Sequence, residues 1–163
     1  MSRRLPGVID HIRRHAAASA VLADAGAAPR PAAEGGRVMH PVNLTIGAPA
    51  AFMNANHRHH WSRKGRDTKA WRTAAWAHAR SENLAPRDRR ARVIVVFHRT
   101  GRRRCDVGNL APTAKAIVDG LTDAGLWPDD SDAYVVGPDL RAGAPWPRSG
   151  VEVFIQDAPE WPA

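Results

Sequence analysis

Asp106, Lys115, Asp119, Asp129, Asp130 and Asp132 crowd into a short stretch, residues 106–132. Lys115 and Asp119 are four positions apart, a spacing that puts both on one face of a helix. Asp129, Asp130 and Asp132 flank Ser131 in a run with turn composition. Carboxylate and water oxygens are the donors that Mg²⁺ takes in octahedral geometry, with Mn²⁺ as a substitute. Beside a phosphodiester such an ion activates water and neutralises developing charge, and a lysine adds a further cation to that transition state. The same residues also fit an ordinary helix pair followed by a solvated turn with side-chain-to-backbone hydrogen bonds.

The charge around the cluster narrows the partner. The chain has 24 Lys and Arg against 16 Asp and Glu, and only Lys64, Lys69 and Lys115 of the 24 are lysines. Arginine presents a rigid fork of donors matched to phosphate oxygens. Residues 37–104 hold 16 basic against 3 acidic side chains, whereas residues 105–163 hold 3 against 10. A basic half beside an acidic half suits a phosphate-binding surface around a carboxylate site. Cys105 is the sole cysteine, which excludes an internal disulfide and a multi-cysteine zinc site. No apolar run reaches the roughly 20 residues of a membrane span, and no export signal follows Arg3 and Arg4. A cytoplasmic setting and no membrane partner are the expectation.

These side chains need a scaffold. Residues 1–38, rich in Ala, Arg, Gly and Pro, read as a flexible leader, 39–157 as the domain and 158–163 as a tail. Alternation predicts strands over 42–46 and 151–155, and the β-branched run Val93–Val96 predicts another over 92–98. A helix is expected over 66–80, with Ala70, Trp71, Ala74, Ala75, Ala77 and His78 lining one side. A second runs from Pro112 to Gly125 and buries Ala114, Ile117, Val118, Leu121 and Ala124. Residues 133–136 read as a short strand and 138–150 as a loop. The order β-α-β-α-β-β predicts an α+β domain, a small mixed sheet packed with two main helices.

Asn56, Arg58 and His59 in the loop over 54–61, with Arg63, Lys64, Arg66, Lys69 and Arg72 following, are candidate DNA contacts that position a backbone without reading bases. Arg102, Arg103 and Arg104 stand immediately before Asp106 and add to that set. His57, His59 and His60 lack a cysteine partner, so zinc is the weaker reading of that run. Trp61 can stack on exposed bases, while Trp71 and Trp76 fit a core or subunit interface better. Trp127 is expected to pack on the preceding helix, Cys105 to be structural, and His98 to make an ordinary hydrogen bond, with an approach to Asp106 as the alternative.

Arg104-Cys-Asp106-Val-Gly-Asn109, then Lys115-Ala-Ile-Val-Asp119-Gly-Leu121, Ala124-Gly125 and Asp129-Asp130 together resemble the RusA family of Holliday junction resolvases, especially versions from phages and prophages of actinobacteria. The resemblance covers residues 42–155 and implies a homodimer that cleaves four-way DNA junctions with Mg²⁺ by paired nicks. It implies that Asp106 and Asp130, or Asp129 in place of the latter, hold metal, that Lys115 is catalytic, and that Asn109 matches the motif's asparagine at the DNA contact surface. Gly108 stands where that family's motif has a second aspartate. Asp119, Asp129 or Asp132 then compensates, with Asp119 preferred for its shared face with Lys115. The alternatives are a metal held by fewer protein ligands, or a weakly active or inactive branched-DNA-binding protein of the same fold.

Overall fold

The structure is a computed structural model that describes residues 40–57, 60–101 and 104–158. The leader over 1–38 lies outside the described residues, as does the tail beyond Ala158. Strand β1 (Val42–Gly47) leads to helix α1 (Trp61–Ser81) and strand β2 (Ala91–His98). A 3-10 turn (Val107–Leu110) then enters helix α2 (Ala111–Asp123), followed by β3 (Val135–Ala142) and β4 (Gly150–Asp157). The fold is α+β, one four-stranded mixed sheet with two helices.

The sheet order is β1-β4-β2-β3, with β2 and β3 parallel and the other pairs antiparallel. Period-two alternation sends every second side chain to one face. Register then aligns Leu44 with Val153 and Val95, and Ile46 with Val151 and Phe97. These rows are buried and join Trp71, Ile117 and Leu121 of the helices in a single core. Burying each such side chain stabilises the fold by about 1.5–3 kcal/mol relative to leaving it exposed.

The helices also pack closely on each other, and Gly120 makes that possible. A Cβ there would stand 2.2 Å from the Arg72 carbonyl oxygen and 2.9 Å from Ala75 Cβ. Backbone therefore meets backbone at the crossing, and α2 buries Thr113, Ala114, Ala116, Ile117, Val118, Gly120 and Leu121. Only Trp71, Ala75 and Ala79 are buried in the longer α1, a strict four-residue step.

Four sequence expectations need correction. Helix α1 begins at Trp61, not Arg66, because His60 ends the loop and its Nδ1 accepts from the Ser62 N–H. Ala77 is exposed, and so is Trp76 at 44%, since the buried stripe follows Trp71, Ala75 and Ala79. Ala124 is only half-buried, because it lies just past the end of α2. Strand β3 covers Val135–Ala142 where a short strand and then a loop were expected. Its Pro138 is tolerated because β3 lies at the sheet edge, where one side of the strand needs no ladder donors.

Candidate active site

The entry to α2 is built by side-chain-to-backbone bonds. Asp106 caps the 3-10 turn: its Oδ1 accepts from the Gly108 N–H at 3.0 Å and its Oδ2 from Asn109 Nδ2 at 3.4 Å. Pro112 sits in the first turn of α2, where a missing N–H has no helical acceptor to lose. The loop after β1 is fastened to this entry. Ala55 N–H donates to the Asn109 carbonyl at 2.8 Å, and Met53 N–H donates to Thr113 Oγ1 at 2.7 Å. Asn56, whose own N–H donates to Asn54 Oδ1 at 2.8 Å, is thereby carried to the Asp106 turn from a distant part of the chain.

The other end of α2 reverses the chain. Gly125 takes φ +86°, its N–H donates to the Thr122 carbonyl at 2.9 Å, and Leu126 N–H donates to the Leu121 carbonyl at 3.2 Å. This is a Schellman closure, which satisfies the last carbonyls and redirects the backbone. Leu126 and Trp127 are buried as it turns, so Trp127 packs as expected. The chain then returns along α2. Lys115 Nζ donates to Asp119 Oδ1 at 2.5 Å and also to Asp130 Oδ2, so two carboxylates from different elements converge on one ammonium.

The electrostatics follow that geometry. Hydrogen bonds to Asp119 and then to Asp130 raise the Lys115 pKa above its ordinary value, against a smaller opposing effect of burial. The Lys115 hydrogen bond holds the Asp130 carboxyl below the usual carboxylate range. The cluster is thus arranged around a positive charge at neutral pH.

The structure does not bring all the candidates together. Asp106 has Gly108 and Asn109 as its bonding partners and no ion pair to Lys115. Asp129 Oδ1 accepts from the Ser131 N–H at 2.7 Å, which makes it a turn-forming residue. Asp132 contributes its carbonyl to Arg90 Nε at 2.8 Å. Among the described residues, no group of three or more His, Cys, Asp or Glu side chains is placed to hold a metal ion. Gly108 adjoins the cap: a Cβ there would stand 3.1 Å from Asp106 Oδ1, so a carboxylate at this position would crowd that of Asp106.

The basic residues fall on α1 and its flanks. Arg63 pairs with Asp67 at 3.9 Å. Arg72 grips Asp123 of α2 with both Nε and Nη2, the latter at 2.6 Å. That hydrogen bond raises the Arg72 pKa, and the charges of Asp119 and Asp130 act in the same direction. Lys64, Arg66, Lys69 and Arg104 are exposed. Arg58, His59, Arg102 and Arg103 lie outside the described residues.

Two features escaped the sequence reading. Gly120 sets the helix crossing, and a glycine in mid-helix was its one signal. Arg87, in a stretch dense in charge, is 3% exposed; it donates to Asp157 at 3.0 Å and to the His40 carbonyl at 2.8 Å. Burial lowers its pKa while Asp157 opposes that shift. His98 makes ordinary hydrogen bonds, as expected: it is buried, bonded to the Ala144 carbonyl and Glu152, and stacked on Trp146 at 3.7 Å between centroids. Among the described residues, no helix is long and apolar enough to cross a membrane. Comparison with protein-family models and with curated proteins finds no match to this chain.

Proposed function

We propose that the chain is a Mg²⁺-dependent endonuclease that cleaves four-way or related branched DNA, in the manner of the RusA-type resolvases its sequence resembles. The observation that carries this reading is the convergence of Asp119 and Asp130 on Lys115 beside an arginine-rich helix. Mg²⁺ is commonly held by one or two carboxylates, the remaining positions going to water and substrate phosphate, and the Asp119–Asp130 pair suits that requirement. Asp119 and Asp130 would hold the ion, with Asp106 at the helix entry as a further carboxylate. When bound, the ion supplies an activated water and charge neutralisation at the scissile phosphate.

The chain's own residues have distinct parts. Lys115 offers a cation to developing phosphoryl charge, and its two carboxylate bonds hold that cation in place. Asn56 and Asn109 meet the backbone at the α2 entry, while Lys64, Arg66, Lys69 and Arg72 supply charge along α1. A C2 homodimer would set two such sites against symmetric strands of a junction. One observation favours the second reading, a branched-DNA-binding protein with weak or no cleavage: Gly108 leaves Asp106 without a neighbouring carboxylate. A labelled synthetic junction with Mg²⁺, Mn²⁺ or EDTA separates the two. Nicks that need the metal and vanish in Asp106→Asn and Lys115→Ala, with binding retained, support the enzyme. Tight, salt-sensitive binding without nicks in either metal supports the binding protein. Full activity in Asp119→Asn would remove Asp119 from the metal set.

A further inference from the structure

Two large apolar side chains lie exposed among the described residues, and both are on α1: Trp61 at 79% and Trp76 at 44%. An open groove connects them. Its first part is lined by Trp61, Lys64, Thr68, Lys69 and Arg72, and its second by Lys69, Arg72, Trp76 and Asp123. The residues recur at three- and four-residue steps, so they share one side of the helix. Fifteen positions at about 1.5 Å each separate the two rings by roughly 22 Å along the axis. Neither Lys64 nor Lys69 has an acidic side-chain partner among the described residues.

We propose that this groove binds a single-stranded DNA segment, with bases stacked on Trp61 and Trp76 and phosphates at Lys64 and Lys69. Aromatic platforms joined by a cationic track form a surface suited to unpaired nucleotides, because every base has a π-face and every link a phosphate. A duplex hides those faces within its stack. A second copy of the chain suits the groove less well, since a two-fold contact along α1 would bring together two faces that each carry Lys64 and Lys69. Arg72 joins the groove to α2 through Asp123, so a strand lying here passes beside the Lys115 cluster. The proposal rests on the branched-DNA reading for its choice of ligand, and it assigns the unpaired strand near a branch to α1.

The test is fluorescence anisotropy of a labelled 12-nucleotide oligo-dT in EDTA, beside an abasic strand of equal length, with junction nicking in Mg²⁺ scored separately. Trp61→Ala and Trp76→Ala should each weaken oligo-dT binding roughly 5- to 150-fold, leave the abasic strand nearly unchanged, and keep the wild-type melting curve. Trp61→Phe and Trp76→Phe should retain most of the affinity. Equal losses on both strands, or no loss on oligo-dT, would overturn the proposal. So would a dimer-to-monomer change on sedimentation of Trp76→Ala, which would make the groove an interface between copies. Stacking-dependent binding without any nicking would sink the nuclease reading and leave this inference standing.

Discussion

The two helices divide the work of the molecule unequally. Helix α2 buries seven of its 13 residues, leaving a narrow strip on which Lys115 and Asp119 stand. Helix α1 buries three of 21 and turns most of its basic and aromatic side chains outward. The core fixes α2 from below and the returning turn fixes it from above, so its polar cluster has defined partners. Helix α1 is anchored by a thin buried stripe and by an ion pair to α2, and its outer face is exposed. Chemistry that needs fixed atoms suits the first helix of this pair, and binding to a polyanion suits the second.

The largest effect that sharpens this contrast comes from two tryptophans on one helix. Trp71→Ala should cost about 3–5 kcal/mol in urea unfolding, because a fully buried indole leaves a cavity. Trp76→Ala should leave unfolding nearly unchanged; equal losses would contradict the division of α1 into buried and free sides. Next is Gly120→Val, expected to destabilise by about 1–3 kcal/mol as the new side chain meets the Arg72 carbonyl. No destabilisation there would mean that the helices cross elsewhere.

The smallest effects concern pH. Asp130 has a depressed pKa, so its contribution is present above the ordinary carboxylate range and lost as pH falls through the depressed value. Lys115 has a raised pKa, so its contribution is present below the ordinary lysine range and lost as pH rises through the raised value. Both side chains are more than a third exposed, and solvent keeps the gain in stability small. NMR titration should find Asp130 low in the wild type and returned upward in Lys115→Met. An unchanged Asp130 titration in that variant would break the proposed pairing.

Local pattern made most elements legible. Alternation marked β1 and β4, a β-branched run marked β2, and the stripe through Ala114, Ile117, Val118 and Leu121 marked α2 together with its Gly125 stop. Lys115 and Asp119 shared a face by spacing alone. The return of Asp130 was not legible, since nothing local to 129–132 says whether the turn reaches back over α2. The extension of β3 past Val136 escaped because Gly137 and Pro138 argue against a strand, and only pairing with β2 overrides them. The start of α1 escaped because its first turn, apart from the exposed Trp61, is polar and carries no apolar period. Docking of Ala55 on Asn109 joins distant stretches, which no periodicity encodes.

The central claim is that the Lys115 cluster cleaves branched DNA with a divalent ion. Its most direct test is the nicking rate on a labelled four-way junction, measured for the wild type, Lys115→Ala and Asp130→Asn at matched binding saturation. The account predicts Mg²⁺-dependent paired nicks in the wild type and a fall of about 100-fold or more in each variant, with junction affinity largely kept. Wild-type protein that binds the junction yet leaves it intact in both Mg²⁺ and Mn²⁺, or variants that nick at the wild-type rate, would contradict it.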